Sequence, residues 1–267
     1  MTSTALAAAE LIKARNTLGM IETAVILGRN FYGLADIAEN VTTIPYAELP
    51  GFPCTAGHEN DELLICTVDG APVLLLKGRS TFYETGDPSL MAGPIETLAM
   101  LGVRNILCTS LALSVHADLV PSSVVAITDH INFTGLNPLV GGGGEKCVIN
   151  MNDAYDKRLL RRLKTSAASA GVSIHEGVFM WFSGPSYETP AEVKVARQLG
   201  ADLLGWAMAP EAILARRFAV PFAGIVVVTD FGAGFLGGMP SADSARGSAV
   251  AGMVAAKRLL RAFVKGR

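Results

Sequence analysis

A carboxylate and an aromatic side chain stand together in the segment GPSYETPAE, residues 184–192, where Tyr187 and Glu188 precede a predicted helix. The four residues that follow, T-P-A-E, form a capping box with proline at the first helical position. The partial positive charge of a helix N-terminus favours an ionised carboxylate beside it. We interpret the pair as a grip for a flat heterocycle, in which Glu188 accepts from a ring N–H and Tyr187 packs nearby. A solvated loop glutamate is the alternative.

A second carboxylate, Asp230, follows the apolar run GIVVVT at 224–229 and precedes the glycine-containing segment FGAG. Ligands of open α/β sheets collect at the carboxyl ends of strands, and glycine lets a ligand approach the backbone closely. An acidic side chain at such a position can accept hydrogen bonds or, when protonated, donate a proton. We favour a functional role for Asp230 over the alternative of a simple turn residue.

Two arginines also follow apolar runs, and both suit an anionic ligand. Arg79 comes after PVLLLK at 72–77, and its forked guanidinium matches an oxyanion such as phosphate. Arg29 follows TAVIL at 23–27, where Gly28 and the N–H groups of the turn would face the same kind of ligand. Neither segment is a Walker or Rossmann fingerprint, so exposed surface arginines are the alternative for both.

Short apolar runs that alternate with helical patterns must position these groups. Runs bounded by turn residues predict strands at 23–27, 63–68, 72–77, 105–110, 123–128, 177–182 and 224–229. Helical patterns lie at 89–101, 153–170, 190–199, 209–218 and 241–264, and an N-terminal amphipathic helix is predicted to close at Gly19. Together they indicate an α/β fold with a buried central sheet flanked by helices.

The sheet is predicted to be mixed and to belong to one domain. The Asp-Gly pair between the runs at 63–68 and 72–77 predicts a hairpin, which requires an antiparallel pair of strands. The length alone also allows two small domains, but no segment has the composition of an interdomain linker. The glycine patch at 141–144 is too short for one, so we interpret it as a loop and expect a single domain over residues 1–267.

Composition narrows the function classes. The chain has a formal net charge of −2 and scattered basic residues, so we expect no nucleic-acid partner. Charged residues, glycine or proline interrupt every apolar run before it reaches the length of a membrane span, and the N-terminal segment does not resemble a signal peptide. The four cysteines and four histidines show no metal-binding spacing. We therefore expect a cytoplasmic protein with reduced thiols and with no metal or membrane partner.

Motifs along nearly the whole chain resemble one family. They are VILG, LPGFP…GH (49–58), KGR…YE (77–84), LGVRNIL (101–107), DHINFTGLNPL (129–139), NDAYDKRL (152–159), GPSYETPAEV (184–193), LGADLLG (199–205), PEAILAR (210–216) and VVVTD (226–230). The chain resembles the trimeric purine nucleoside phosphorylase and methylthioadenosine phosphorylase family. The combination of GPSYET, DHIN and NDAYD is the most specific part of the resemblance.

The resemblance implies an enzyme of purine salvage, a homotrimer that cleaves the N-glycosidic bond of purine nucleosides with phosphate. The products are the free base and a sugar 1-phosphate, phosphate is the co-substrate, and no metal or organic cofactor is implied. Glu188 would bind the purine edge and Tyr187 would pack on the ring. Asp230 would contact the imidazole-side nitrogen and the six-position substituent, so Asp230 and Glu188 are the candidate catalytic residues. Tyr83 would touch the sugar.

The resemblance also assigns an anion side to the site. Candidate phosphate ligands are Gly28, Arg29, His58, Arg79 and Thr81. Further candidate substrate contacts are Ser110, Leu111, Gly205 and Trp206.

This anion side departs from the family pattern. The family's glycine-serine-glycine loop is here Gly28-Arg29-Asn30, its arginine-x-histidine pair ends in Thr81, and bulkier apolar residues replace a stretch of asparagine, alanine and glycine at 110–114. Trp206 and Ala207 replace a methionine and a hydroxyl residue, a histidine expected near 242–244 is absent, and an aromatic loop is shortened into 141–147. Each lost polar contact should weaken anion binding by about 1–3 kcal/mol. Arg29 is the candidate replacement.

Two questions stay open at the level of sequence. The favoured function is phosphorolysis; the alternatives are a noncatalytic nucleoside-binding homologue, suggested by Leu111, Leu113, Trp206 and Ala207, and a hydrolase in which water replaces phosphate. The base is also open. An ionised Asp230 favours a six-amino group, whereas an ionised Glu188 favours the ring N–H of a six-oxopurine.

Overall fold

The computed structural model describes residues 1–54, 61–141 and 148–266. The strands are β1 (Thr23–Ile26), β2 (Glu39–Pro45), β3 (Glu62–Val68), β4 (Ala71–Lys77), β5 (Asn105–Ser114), β6 (Val124–Asn132), β7 (Ile174–Trp181), β8 (Leu203–Gly205) and β9 (Phe222–Phe231). The α-helices are α1 (Ser3–Arg15), α2 (Phe82–Thr85), α3 (Ala92–Met100), α4 (Lys157–Ala170), α5 (Pro190–Gln198), α6 (Ala209–Arg217) and α7 (Ala242–Lys265). Short 3₁₀ helices occupy Arg29–Ile37 and Tyr46–Glu48.

The hairpin of β3 and β4 makes the sheet mixed, as predicted. Asp69 and Gly70 have φ angles of 49° and 79°, the left-handed conformation that a two-residue hairpin turn requires. The two strands run antiparallel, with Leu63 opposite Leu76. In contrast, β1 pairs in parallel with both β4 and β5.

The strand order β2-β3-β4-β1-β5-β8-β7-β6-β9 returns to its own middle, because β9 also pairs with β5. The strands β5, β8, β7, β6 and β9 therefore form a closed ring, which we call the strand ring. The remaining four strands extend from β5 as an open sheet. Strand β5 serves both parts, since Asn105–Cys108 pairs with β1 and its last two residues pair with β8.

A β-bulge interrupts the seam between β5 and β9. Ala112 pairs with Val228 and Leu113 pairs with Asp230, so Thr229 is an extra residue on β9. The Thr229 hydroxyl donates to the carbonyl oxygen of Ala112 at 3.3 Å. Bulges bend a strand and redirect its side chains. Asp230 lies within β9, not after it as the strand predicted at 224–229 would place it.

Buried apolar side chains cover both faces of the sheet. Val25 and Ile26 are adjacent in β1 but belong to different core clusters, because successive side chains of a strand point to opposite faces. The Ile26 cluster includes side chains of α1, α3 and α6, and the Val25 cluster includes side chains of α4 and α7. A third, smaller cluster joins α5 to the strand ring through Leu113, Met180, Val193 and Leu204.

Most predicted elements are present, with several differences, among them the short helix α2, which was not predicted. The N-terminal helix ends at Arg15, and Asn16 is its C-terminal cap. The Asn16 side-chain amide donates to Gly19 O at 2.6 Å, which holds residues 16–19 in a turn outside the helix. The predicted helix end at Gly19 is therefore wrong. Strands β2 and β8 were not predicted, because β2 is mostly exposed and β8 has only three residues. Of the glycine patch, Gly141 lies in a turn and residues 142–147 lie outside the described ranges. Among the described helices, none is both long and apolar enough to cross a bilayer.

Candidate active site

A cavity of about 330 Å³ lies where β1 and β4 end and β5 meets β8, a volume typical of small-molecule sites. Among the side chains proposed from sequence, those that line it are Gly28, Arg29, Arg79, Thr81, Tyr83, Ser110, Leu111, Tyr187, Glu188, Gly205 and Trp206. Ala242 and Ala245 at the start of α7 also line it, as does Thr229 from the bulge. The cavity therefore brings together residues that are far apart in the sequence.

The segment before α5 presents Glu188 to this cavity. Thr189 caps the helix by accepting from Glu192 N, and the Glu192 carboxylate accepts from Thr189 N at 2.7 Å. Pro190 occupies the first turn, so the predicted capping box and helix start are confirmed. Glu188 immediately precedes this cap and is 4% exposed.

The Glu188 carboxylate is bound inside the protein by a neutral donor. The indole Nε1 of Trp206 donates to Glu188 Oε1 at 3.0 Å. Burial raises the pKa of the Glu188 carboxyl, while its own backbone N–H and the Trp206 N–H oppose that rise. Burial, not the helix end, therefore decides the direction of the shift, contrary to the expectation from sequence.

Two tyrosine rings contact the Trp206 indole that binds this carboxylate, and we call Tyr83, Tyr187 and Trp206 the aromatic cluster. Trp206 meets Tyr83 nearly edge-on with ring centroids 5.8 Å apart, and it meets Tyr187 at a tilt with centroids 5.2 Å apart. Gly184 makes room for the indole, since a Cβ on that residue would stand 2.9 Å from Trp206 Cδ2. Its φ of +67° also favours glycine.

Asp230 lies beside the cavity and, among the described lining residues, Thr229 contributes to the wall in its place. The Asp230 carboxylate accepts from the N–H of Phe231 at 2.8 Å. Burial, together with the nearby carboxylates of Glu188 and Asp230, raises the pKa of Tyr187. Asp230 is thus close enough to Tyr187 to influence it, and its contact with the base stays a prediction.

Arg79 is a buried cation on the anion side. Its Nη1 donates to Thr109 O at 2.6 Å, and its Nε lies 3.7 Å from Glu211 Oε1. The side chains of Arg79 and Glu211 are 8% and 2% exposed, so the two charges form a buried ion pair. Burial raises the pKa of the Glu211 carboxyl, and the positive charge of Arg79 opposes that rise.

Arg29 is a more exposed cation at the same cavity. Its Nη2 lies 2.7 Å from Glu84 Oε1, and the two side chains are 48% and 13% exposed. The other oxygen of Glu84 accepts from Thr81 N at 2.6 Å, which fixes the carboxylate at the start of α2. Glu84 therefore occupies one face of the guanidinium that we predicted to bind an anion.

Gly28 brings the end of β1 close to Arg79. A Cβ on this residue would stand 3.1 Å from Arg79 Nη2 and 3.0 Å from Thr109 O. The Gly28 N–H, which the sequence suggested for an anion, donates to the Thr109 hydroxyl at 3.0 Å. In this conformation that donor is used within the protein.

Three residues at or beside the site were not singled out from sequence. Glu84 could have been found as the last residue of a capping-box pattern T-F-Y-E, and Glu211 as a carboxylate within the apolar start of α6. Thr229 gave no signal in the sequence, because its place in the cavity wall depends on the bulge.

His58, a predicted phosphate ligand, lies outside the described residues. No group of histidine, cysteine, aspartate and glutamate in the described ranges is arranged to hold a metal ion.

Comparison with known proteins identifies the family of the chain. The sequence model of the Phosphorylase superfamily matches residues 22–265. The purine nucleoside phosphorylase of Mycobacterium tuberculosis is 36% identical over 233 residues, which are 86% of this chain and 84% of that protein. Purine nucleoside phosphorylase 1 of Geobacillus stearothermophilus is 34% identical over 220 residues, 80% of each chain.

The fold also matches solved structures. The crystal structure of Schistosoma mansoni purine nucleoside phosphorylase in complex with inosine superposes with a TM-score of 0.90 at 26% identity, covering 99% of this chain and 96% of that one. The chain therefore belongs to the Phosphorylase superfamily and, within it, to the purine nucleoside phosphorylases.

Proposed function

We propose that this protein is a purine nucleoside phosphorylase that converts a purine nucleoside and inorganic phosphate into the free base and a pentose 1-phosphate. The single observation that carries the proposal is one cavity holding a buried carboxylate among aromatic rings, Glu188 with the aromatic cluster, together with the cations Arg29 and Arg79. The first group suits a planar base with an N–H donor. The second suits an oxyanion.

In the proposed reaction a phosphate oxygen forms a bond to C1′ of the sugar while the bond from C1′ to the purine nitrogen breaks. The electron pair of that bond passes to the purine ring, and the ring takes up a proton equivalent to the one that hydrogen phosphate gives up. Glu188 holds the base by accepting from a ring N–H, and the predicted role of Asp230 is to contact the imidazole side of the ring. Arg79 and Arg29 attract the phosphate and offset its charge as it approaches the cationic sugar.

Release of free base, with and without phosphate, tests this function. Purified protein is incubated with inosine, guanosine, adenosine or methylthioadenosine, and the base and the sugar 1-phosphate are quantified by chromatography. We expect base and sugar 1-phosphate in equal amounts, and only when phosphate is present. Equal release without phosphate would identify a hydrolase, and binding without release would identify a noncatalytic nucleoside-binding protein.

One observation favours keeping the noncatalytic alternative in that test. Both arginines already face carboxylates of the same chain, Glu84 and Glu211, and Leu111, Leu113 and Ala207 add apolar surface to the wall. Phosphate would therefore have to compete with internal partners for its cations. A measurable KM for phosphate in the low millimolar range or below would decide in favour of the enzyme.

We further propose a homotrimer that works in purine salvage in the cytoplasm, with phosphate as co-substrate and without a metal or organic cofactor. Exposed apolar side chains such as Phe133, Val140 and Met239 support burial against another subunit. The free thiols of Cys66 and Cys108 are buried, which suits a reducing compartment. Light scattering coupled to gel filtration should give three times the 28.0 kDa of one chain, and activity should survive treatment with EDTA.

A further inference from the structure

Trp206 binds the same carboxylate, Glu188, that the proposed base would use as its hydrogen-bond acceptor. Its indole N–H donates to Glu188 Oε1, and both side chains line the cavity. The indole is held by ring contacts with Tyr83 and Tyr187 and by its close fit against Gly184. The Glu188 carboxylate is therefore shared between a fixed internal donor and whatever ligand enters.

This sharing limits which purine edges fit. An ionised carboxylate only accepts hydrogen bonds, and two parallel N–H donors of a planar ligand match its two oxygens. The indole N–H stabilises the ionised form, so a ring N–H is a complementary partner and an unprotonated ring nitrogen is not. The Trp206 N–H takes one of the two acceptor positions of Oε1, so Oε2 is the carboxylate oxygen that a ligand N–H need not share with Trp206.

We propose that Trp206 determines base specificity by engaging one oxygen of Glu188, so that the site prefers a six-oxopurine without a two-amino group. Hypoxanthine presents one ring N–H on this edge and fits. Guanine presents a second N–H donor beside the first, and that donor would have to share Oε1 with the Trp206 N–H, which weakens its hydrogen bond. Adenine presents a ring acceptor to an acceptor. The inference rests on the proposed function, because it takes the base to lie against Glu188.

The test is the ratio of guanine to hypoxanthine affinity, measured by competition at equilibrium with free bases that cannot be cleaved. Trp206→Phe keeps an aromatic ring between Tyr83 and Tyr187 but removes the N–H. We expect hypoxanthine to be preferred by the wild type, and the guanine-to-hypoxanthine affinity ratio to rise about tenfold in the variant, the factor that one hydrogen bond carries. A ratio that does not change, including the case in which both bases gain affinity equally, would overturn the inference.

The other tryptophan of the chain provides a matched control. Trp181 is fully buried at the end of β7, and within the described residues its Nε1 has no hydrogen-bond partner. Trp181→Phe therefore deletes an indole N–H that makes no such bond, and it should leave the affinity ratio at the wild-type value. A ratio that rises equally in both variants would show that loss of packing, not loss of the Glu188 partner, is responsible.

The same control reports where the indole goes. The chain has two tryptophans, so Trp206 is the only tryptophan in Trp181→Phe, and selective excitation of tryptophan reports on it alone. If the indole stays hydrogen-bonded to Glu188, binding of hypoxanthine should leave the emission maximum in place. A red shift toward the emission of a water-exposed indole would mean that Trp206 leaves the carboxylate, and would overturn the inference.

If neither base binds to any of the three proteins, the proposed function fails and this inference with it. Binding with a constant ratio removes the inference alone.

Discussion

The two sides of the cavity pair their charges in different ways. On the base side, the hydrogen-bond donor to Glu188 is the neutral indole of Trp206, which carries no positive charge to offset the ionised carboxylate. On the anion side, Arg29 and Arg79 each face a carboxylate, which offsets the charge that a phosphate would seek. The base side can therefore bind its ligand without breaking an ion pair, whereas the anion side must exchange internal partners for phosphate.

The two arginines also differ from each other. Breaking a buried ion pair leaves an uncompensated charge and is costly, while an exposed pair contributes little. We therefore infer that Arg79 keeps its place beside Thr109 and Glu211, and that Arg29 is the cation that exchanges a carboxylate partner for an incoming phosphate.

The largest effect is expected from Arg79→Met, which would break the buried half of the anion side. We expect the free energy of unfolding to fall by about 3–5 kcal/mol, because Glu211 is left buried without its cation. Urea denaturation followed by circular dichroism measures this. A loss below about 1 kcal/mol would show that the pair is not a structural unit.

The double variant Arg79→Met, Glu211→Met separates stability from anion binding. Removing both charges should restore most of the lost stability, since apolar replacements of a buried pair are often neutral. Phosphate-dependent base release should be lost in Arg79→Met and stay lost in the double variant, because both lack the Arg79 cation. Its return in the folded double variant would exclude Arg79 as a phosphate ligand.

A smaller effect is expected from Glu188→Gln on the base side. The amide oxygen can still accept from Trp206, but the NH₂ group then meets a ring N–H, so hypoxanthine affinity should fall about 10–100-fold. Competition binding measures the loss. Glu192→Gln is the control, because glutamine also completes a capping box and the residue lies outside the cavity. Equal affinities for all three proteins would place the base elsewhere.

Smaller still are the opposite effects expected at Arg29. Arg29→Ser should raise the KM for phosphate several-fold, up to about tenfold, without changing the KM for nucleoside, because one charged contact is lost. Glu84→Gln weakens the competing ion pair and should lower the KM for phosphate. Both should change stability by less than about 1 kcal/mol. Shifts in the same direction would mean that the guanidinium acts on the fold and not on phosphate.

The pH dependence of base affinity gives the smallest and most specific effect. The ionised Glu188 accepts from a ring N–H more strongly than the protonated carboxyl does, so hypoxanthine affinity should fall as pH decreases through the pKa of this group. Burial raises that pKa, and the midpoint should therefore lie above the value of about 4.3 for an ordinary glutamate. Trp206→Phe removes a donor to the ionised form and should move the midpoint higher still. A midpoint that moves lower in the variant would contradict the contact.

Local sequence signals predicted the elements that have strong boundaries. The Asp69-Gly70 turn and the capping box at Thr189 were identified because each depends on neighbouring residues alone. Strand β2 was missed because the exposed sequence ENVTTIP contains no apolar run. The closure of β9 onto β5 depends on pairing between residues more than a hundred positions apart, and no local pattern encodes it.

The same distinction applies to the site. Residues that follow apolar runs, such as Arg79, could be proposed because strand ends meet at one edge of a sheet. The bond from Trp206 to Glu188 could not, because it depends on how two loops meet across the cavity. The pairing of both arginines with Glu84 and Glu211 was equally hidden, and it changes what those arginines are expected to do.

The strand ring has a consequence for how the cavity can vary. Because β5, β8, β7, β6 and β9 pair with one another through their backbones, the backbone that carries the lining residues Leu111, Gly205 and Thr229 is held independently of the side chains that face the ligand. Arg29 is exposed, and Leu111 and Trp206 are only partly buried. Such a scaffold tolerates replacement of the side chains at the mouth of the cavity. New ligand preferences can therefore arise here without a change in the strand ring.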